Sequence, residues 1–262
     1  MSQNSSEPIE TEIDSDKPVI RHKWSALILL PAWVFIGFFT AELIMDGVVW
    51  LMLALGAPLK SYNQSVLNTV LAAVLYLITL VIVVYVPRLI SKKHTNRKDL
   101  GVNRWPTWTD ILITPAAFVV YIILSSLLIL LMTKIFPGFN ANQAQNTGFE
   151  HLTQGFEYML AFTTLVVVAP IAEEVLFRGY LFGKLKQYLP IWVAALATSL
   201  LFGALHGAWA VAIDTFALSL VLCYLRETTG SIWSSILLHM LKNGIAFYLL
   251  FIYPSLLTTL VR

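Results

Sequence analysis

From Trp24 onward the chain alternates long apolar runs with short polar stretches. The runs are Trp24 to Met45, Val66 to Val86, Ile111 to Ile135, Phe156 to Phe177, Ile191 to His206, Trp209 to Leu225 and Ile232 to Tyr253. A helix needs about 20 mainly apolar residues to cross the hydrocarbon layer, and these seven runs qualify or nearly so. Val48 to Leu55 is apolar but too short to cross alone, which predicts a re-entrant or interfacial piece, or half of an eighth span. The expected fold is all-α, a polytopic transmembrane helix bundle of seven or eight spans. No internal repeat breaks the pattern, so residues 23–262 are expected to form a single membrane domain, with its polar motifs in 156–253.

Composition agrees with the pattern: 58% of the 262 residues are hydrophobic and only 12% are charged, too few to solvate a globule of this size. The net charge of +2 argues against nucleic acid as a partner, and the bilayer is the expected one. Lys and Arg collect beside the runs. Lys17, Arg21 and Lys23 precede the first; Arg88, Lys92, Lys93, Arg97, Lys98 and Arg104 follow the second; Arg178, Lys184, Lys186 and Arg226 fall on the same side of a seven-span chain. By the positive-inside rule that side, with the N-terminus, is expected to be cytoplasmic in a multi-pass integral membrane protein, with a bacterial plasma membrane as the expected setting. Residues 1–22 carry five acids, Glu7, Glu10, Glu12, Asp14 and Asp16, without the apolar core of a signal peptide, and are expected to be a disordered cytoplasmic tail. The single cysteine, Cys223, excludes an intramolecular disulfide and reads as packing. Trp24, Trp105, Trp108 and Trp233 fall at span ends, where interfacial anchors belong.

Against this background Glu173-Glu174, followed four residues later by Arg178, is an anomaly. One ionised group at the centre of a span costs about 2.5 to 3.5 kcal/mol on insertion scales, so adjacent carboxylates there default to a functional reading. Residues four apart share a helical face, which pairs Glu174 with Arg178, while Glu173 is turned about 100° away and left free to act. His206 and His239 also lie within apolar runs. A lone buried histidine is more often a packing residue than a catalyst, but together with Glu173 the two suggest a site. Asn243 stands four residues after His239, where an amide and an imidazole could both donate to an oxyanion; alone it would read as interhelical glue. Counting rise from the predicted turns puts Glu173, His206 and Asn243 roughly 21 to 26 Å along their helices and His239 roughly 15 Å, which permits a shared layer. Asp214 is a supporting candidate, as a cavity wall, an acceptor for a histidine or a partner of Lys242. Phe202 shares a face with His206 and would wall a dry site, and Glu42 and Asp46 are expected at the outer interface.

At these residues the chain resembles the CAAX prenyl endopeptidase and bacteriocin-processing family of intramembrane proteases. The family's motifs are matched in order by Glu173-Glu174-Val175-Leu176-Phe177-Arg178 (EExxxR), Phe202-Gly203-Ala204-Leu205-His206 (FxxxH) and His239-Met240-Leu241-Lys242-Asn243 (HxxxN). The resemblance implies a membrane endopeptidase of the CAAX prenyl type, with Glu173, His206, His239 and Asn243 catalytic and Glu174, Arg178, Asp214 and Phe202 in support. Glu173 would act as general base on a water that His206 orients, and His239 and Asn243 would hold the oxyanion. No cofactor is required on this reading. One carboxylate and two imidazoles also match a catalytic zinc site, with Glu173, His206 and His239 as its ligands, although the pattern is not HExxH. The expected partner is a peptide or membrane-protein substrate, either a prenylated C-terminal peptide or a leader peptide. Two other classes compete: a catalytically silent immunity or scaffold protein that acts by binding, and a proton-coupled transporter, which the absence of an inverted repeat disfavours.

Overall fold

The computed structural model describes residues 23–91, 95–143, 147–149 and 152–256. The acidic tail, His22, His94 and His151 lie outside the described residues. Every long element is helical. Among the described residues, six helices are long and apolar enough to cross a membrane: α1 (Lys23–Ala54), α2 (Gln64–Ile90), α3 (Trp108–Ile135), α4 (Gly155–Leu185), α6 (Trp209–Thr229) and α7 (Trp233–Ile252). Between α4 and α6 lies the shorter apolar helix α5 (Ile191–Ala204).

Two sequence expectations change here. Val48 to Leu55 is no separate piece: all but its last residue continues α1, so the first helix runs 32 residues and this run adds no span of its own. The fifth run does not fill a span as helix. Its 14 residues rise only about 21 Å, short of the ~30 Å hydrocarbon layer, and the helix stops before His206. His206 lies instead in a tight turn that continues through Gly207, whose φ of 71° belongs to the left-handed region that glycine enters at little cost.

Small residues set the packing. A Cβ on Gly203 would lie 2.6 Å from Ala212 O, so α5 can approach the backbone of α6 this closely only with glycine there. α3 seats Ala117 and Tyr121 against Leu218, Leu222 and Leu225 of α6 and Leu238 of α7. The central helix is α4, whose Leu176, Phe177, Leu181, Phe182 and Leu185 are almost wholly buried and form a core with Val34, Val83 and Phe202.

At one end of the bundle the loop between α2 and α3 is held firmly. Gly101 O accepts from Ile232 N and Ser231 Oγ, and Trp233 Nε1 donates to Arg104 O. Arg104 pairs with Asp110, which also accepts from Ser234 Oγ. That carboxylate raises the Arg104 pKa above its ordinary value. Trp24, Trp105 and Trp108 are exposed at helix ends, as interfacial anchors would be, whereas Trp233 stacks on Trp105.

Candidate active site

The site is organised by an irregularity in α4. Its α-helical turns are interrupted by wider π-helical turns at Thr163–Val168 and Val175–Phe182, which flank the short segment Ala169–Glu174 that presents both glutamates. Pro170 accounts for the first of these turns. A proline ring collides with the carbonyl four residues back and offers no N–H, strains that a wider turn relieves. In this register Ala169 N–H bonds to Thr164 O, so Leu165 O would next look to residue 170, which is proline. The unclaimed carbonyl accepts instead from Asn243 Nδ2 at 2.9 Å. Asn243 thus ties α7 to α4 by satisfying a backbone group that Pro170 leaves over, and one of its two amide protons remains uncommitted by that bond.

Glu174 and Arg178 are fully buried, and Arg178 Nη1 donates to Glu174 Oε1 at 2.9 Å. The guanidinium lies 4.4 Å from the centroid of the Phe202 ring, a cation–π contact. The same carboxylate oxygen accepts from His239 Nδ1, also at 2.9 Å. Glu174 is therefore more than the partner of Arg178: it orients an imidazole. Because a carboxylate can only accept, Nδ1 carries the proton and the other ring nitrogen is directed outward. His239 Nε2 lies 3.8 Å from Glu173 Oε2.

Glu173 has a second contact that the sequence did not suggest. Tyr76 Oη, from α2, donates to Glu173 Oε1 at 2.5 Å. Glu173 and Tyr76 line a cavity of about 200 Å³ together with His206, Phe177, Phe202 and Leu205, and α1 closes the opposite wall with Phe35, Phe38, Phe39 and Glu42. Glu42, expected at the interface, thus reaches the cavity. His206 Nδ1 donates to Phe202 O at 2.7 Å, which leaves its Nε2 available to the cavity. The Phe202 ring packs against the imidazoles of both His206 and His239, with centroids 4.9 and 5.8 Å away.

Of the four residues expected to be catalytic, Glu173 and His206 line the cavity, His239 adjoins it through Glu173, and Asn243 is directed to Leu165 O. Asp214 pairs with Lys242 at 3.4 Å and accepts from Tyr121 and Ser125 of α3, a polar cluster of its own. Among the described residues no three His, Cys, Asp or Glu side chains gather closely enough to hold a metal ion. The suggested zinc set of Glu173, His206 and His239 does not fit such an ion in this arrangement.

Residues 155–245 match the family model described as type II CAAX prenyl endopeptidase Rce1-like. A protein of Bacillus subtilis (strain 168), named "Putative membrane peptidase YdiL", is 31% identical over 77 residues, which cover 29% of this chain and 32% of the relative. An "Uncharacterized 24.3 kDa protein" of Escherichia coli is 32% identical over 89 residues, 32% of this chain and 41% of the relative. The similarity thus spans less than half of either relative. No solved structure matches this chain at comparable significance. The matched segment, about a third of the chain, holds Glu173, His206, His239 and Asn243 together with their supports, and over that segment the chain is similar to the type II CAAX prenyl endopeptidases.

Proposed function

We propose that this chain is an intramembrane endopeptidase that hydrolyses a peptide bond of a membrane-associated substrate with a water activated by Glu173. The observation that carries the reading is the placement of Glu173 Oε2 beside His239 Nε2, at the floor of a cavity that His206 also lines.

A water in this cavity would donate one proton to Glu173 Oε2 and the other toward the lone pair of His206 Nε2. Its oxygen attacks the scissile carbonyl carbon, and the carbonyl π electrons move onto oxygen. The oxyanion then needs donors: the free amide proton of Asn243, and His239 Nε2 when that ring carries its second proton, because the Nδ1–H already belongs to Glu174. When the tetrahedral intermediate collapses, Glu173 returns its proton to the leaving nitrogen as the C–N bond breaks. The catalytic water is held by hydrogen bonds and no metal ion is required.

The substrate is a prenylated C-terminal peptide, as the name of the matched family suggests, or a leader peptide presented from the bilayer. The N-terminus and the loop between α2 and α3 face the cytoplasm, consistent with their Lys and Arg. The test uses purified protein in nanodiscs and a fluorogenic peptide ending in a farnesylated CAAX sequence, with an unprenylated leader-type peptide in parallel. Glu173→Ala and His206→Ala are expected to lose cleavage by about 100- to 10,000-fold, the usual weight of acid–base catalysis, and chelator is expected to leave the wild-type rate unchanged. Wild-type cleavage by Glu173→Ala would remove this mechanism. A loss on chelation restored by zinc would replace the metal-free step.

A further inference from the structure

Tyr76 lies outside the segment that the family model matches, on a helix otherwise read only as an apolar span. It is residue 13 of the 27 in α2, about 18 Å from the start of the helix at 1.5 Å per residue, and so far from either interface. Tyrosines at membrane interfaces keep the hydroxyl wet, whereas a phenol at mid-depth must find a partner in the protein. Its partner is one oxygen of the carboxylate proposed as the base. The ring is fixed independently, edge-on to Phe38 with centroids 6.5 Å apart. The phenol therefore reaches Glu173 from a packed position.

We infer that Tyr76 is a positioning residue for the reaction: its hydroxyl immobilises Glu173 Oε1, so that Oε2 alone faces the water and His239. The inference rests on the reading of Glu173 as the base. A free glutamate side chain rotates about three torsions and can offer either oxygen, so in a site with one productive geometry a fixed donor removes unproductive orientations before the water arrives. Tyr76 keeps its own proton throughout. The proton taken from water resides on Oε2 and is passed on to the leaving nitrogen, while the O–H of Tyr76 remains on Oε1. The α2 wall thus contributes to the chemistry as well as to the boundary with lipid.

Tyr76→Phe preserves the ring and its edge contact with Phe38 while deleting the donor. With the farnesylated reporter peptide the variant is expected to lose about 10- to 100-fold in kcat with KM unchanged, the scale set by a hydrogen bond to a charged group. In a Glu173→Asp background, where the shortened carboxylate is withdrawn from the phenol, the same substitution is expected to cost less than 3-fold. A second readout needs no turnover: the infrared carboxylate stretch of Glu173, identified by its disappearance in Glu173→Gln, is expected to shift in Tyr76→Phe. An unshifted band would overturn the hydrogen bond. A shifted band with unchanged kcat, or a loss that persists fully with Glu173→Asp, would overturn its part in catalysis. Intact cleavage by Glu173→Ala would instead remove the proposed base, so the two failures are distinguishable.

Discussion

The two halves of the bundle use apolar sequence differently. In the most apolar windows of α1, α2 and α3 only 17%, 11% and 17% of residues are buried within the protein, against 50% in α4 and 56% in α6. The first three helices spend most of their surface on surroundings that a bilayer would supply, α4 and α6 spend about half of theirs on other helices, and α7, at 28%, lies between. Motifs follow that division. The proposed chemistry draws on fixed side chains of the packed half, where Phe177, Phe202 and Glu174 have almost no exposure, and the loosely packed half supplies the cavity wall from which Tyr76 reaches Glu173.

The sharpest way to break the comparison is Arg178→Met, which leaves Glu174 buried without its cation. Removing one partner of a buried pair costs about 3 to 5 kcal/mol, so denaturant titration in bicelles should show most of the fold's margin gone. A variant as stable as wild type would mean that α4 is less packed than it looks. Asn243→Ala comes next. The Leu165 carbonyl loses its acceptor role in a dry place, at an expected cost of about 1 to 3 kcal/mol. If kcat falls by about 100-fold or more as well, the second amide proton also serves the oxyanion; if stability alone falls, the residue is only a tie between helices. Smallest is Leu77→Ala, which neighbours Tyr76 in sequence but is 61% exposed. It should move stability by less than about 0.5 kcal/mol and leave cleavage alone. A larger loss would show that α2 is covered by protein.

Much of this was legible in the sequence, because hydropathy reports what surrounds a helix and helical spacing reports which residues share a face. The seven apolar runs and the Glu174–Arg178 pair needed nothing more. Other features depended on information that spacing does not carry. Tyr76 is flanked by Leu75 and Leu77 and has its partner 97 positions away; its one signal was a phenol at mid-span, where few interfacial reasons for tyrosine apply. The bond from Glu174 to His239 joins α4 to α7 and depends on how those helices are rotated. His206 was read as part of a helix because the apolar run continued through it, yet the chain turns at Gly207, and hydropathy is blind to φ. Of the two π turns in α4 only the first was signalled, by Pro170.

Pro170 also imposes an order of events. The carbonyl it leaves over on Leu165 is satisfied by Asn243, and Glu174 is bonded to His239; both partners sit on α7, which emerges from the ribosome after α4, α5 and α6. Until α7 is in place, α4 carries the proposed base, Glu173, without an oriented imidazole beside it and a backbone acceptor without its donor. If the proposed function holds, synthesis itself acts as a safety catch: the nascent chain can be inserted, threaded past its neighbours and folded up to its sixth helix before the proposed proteolytic centre is assembled.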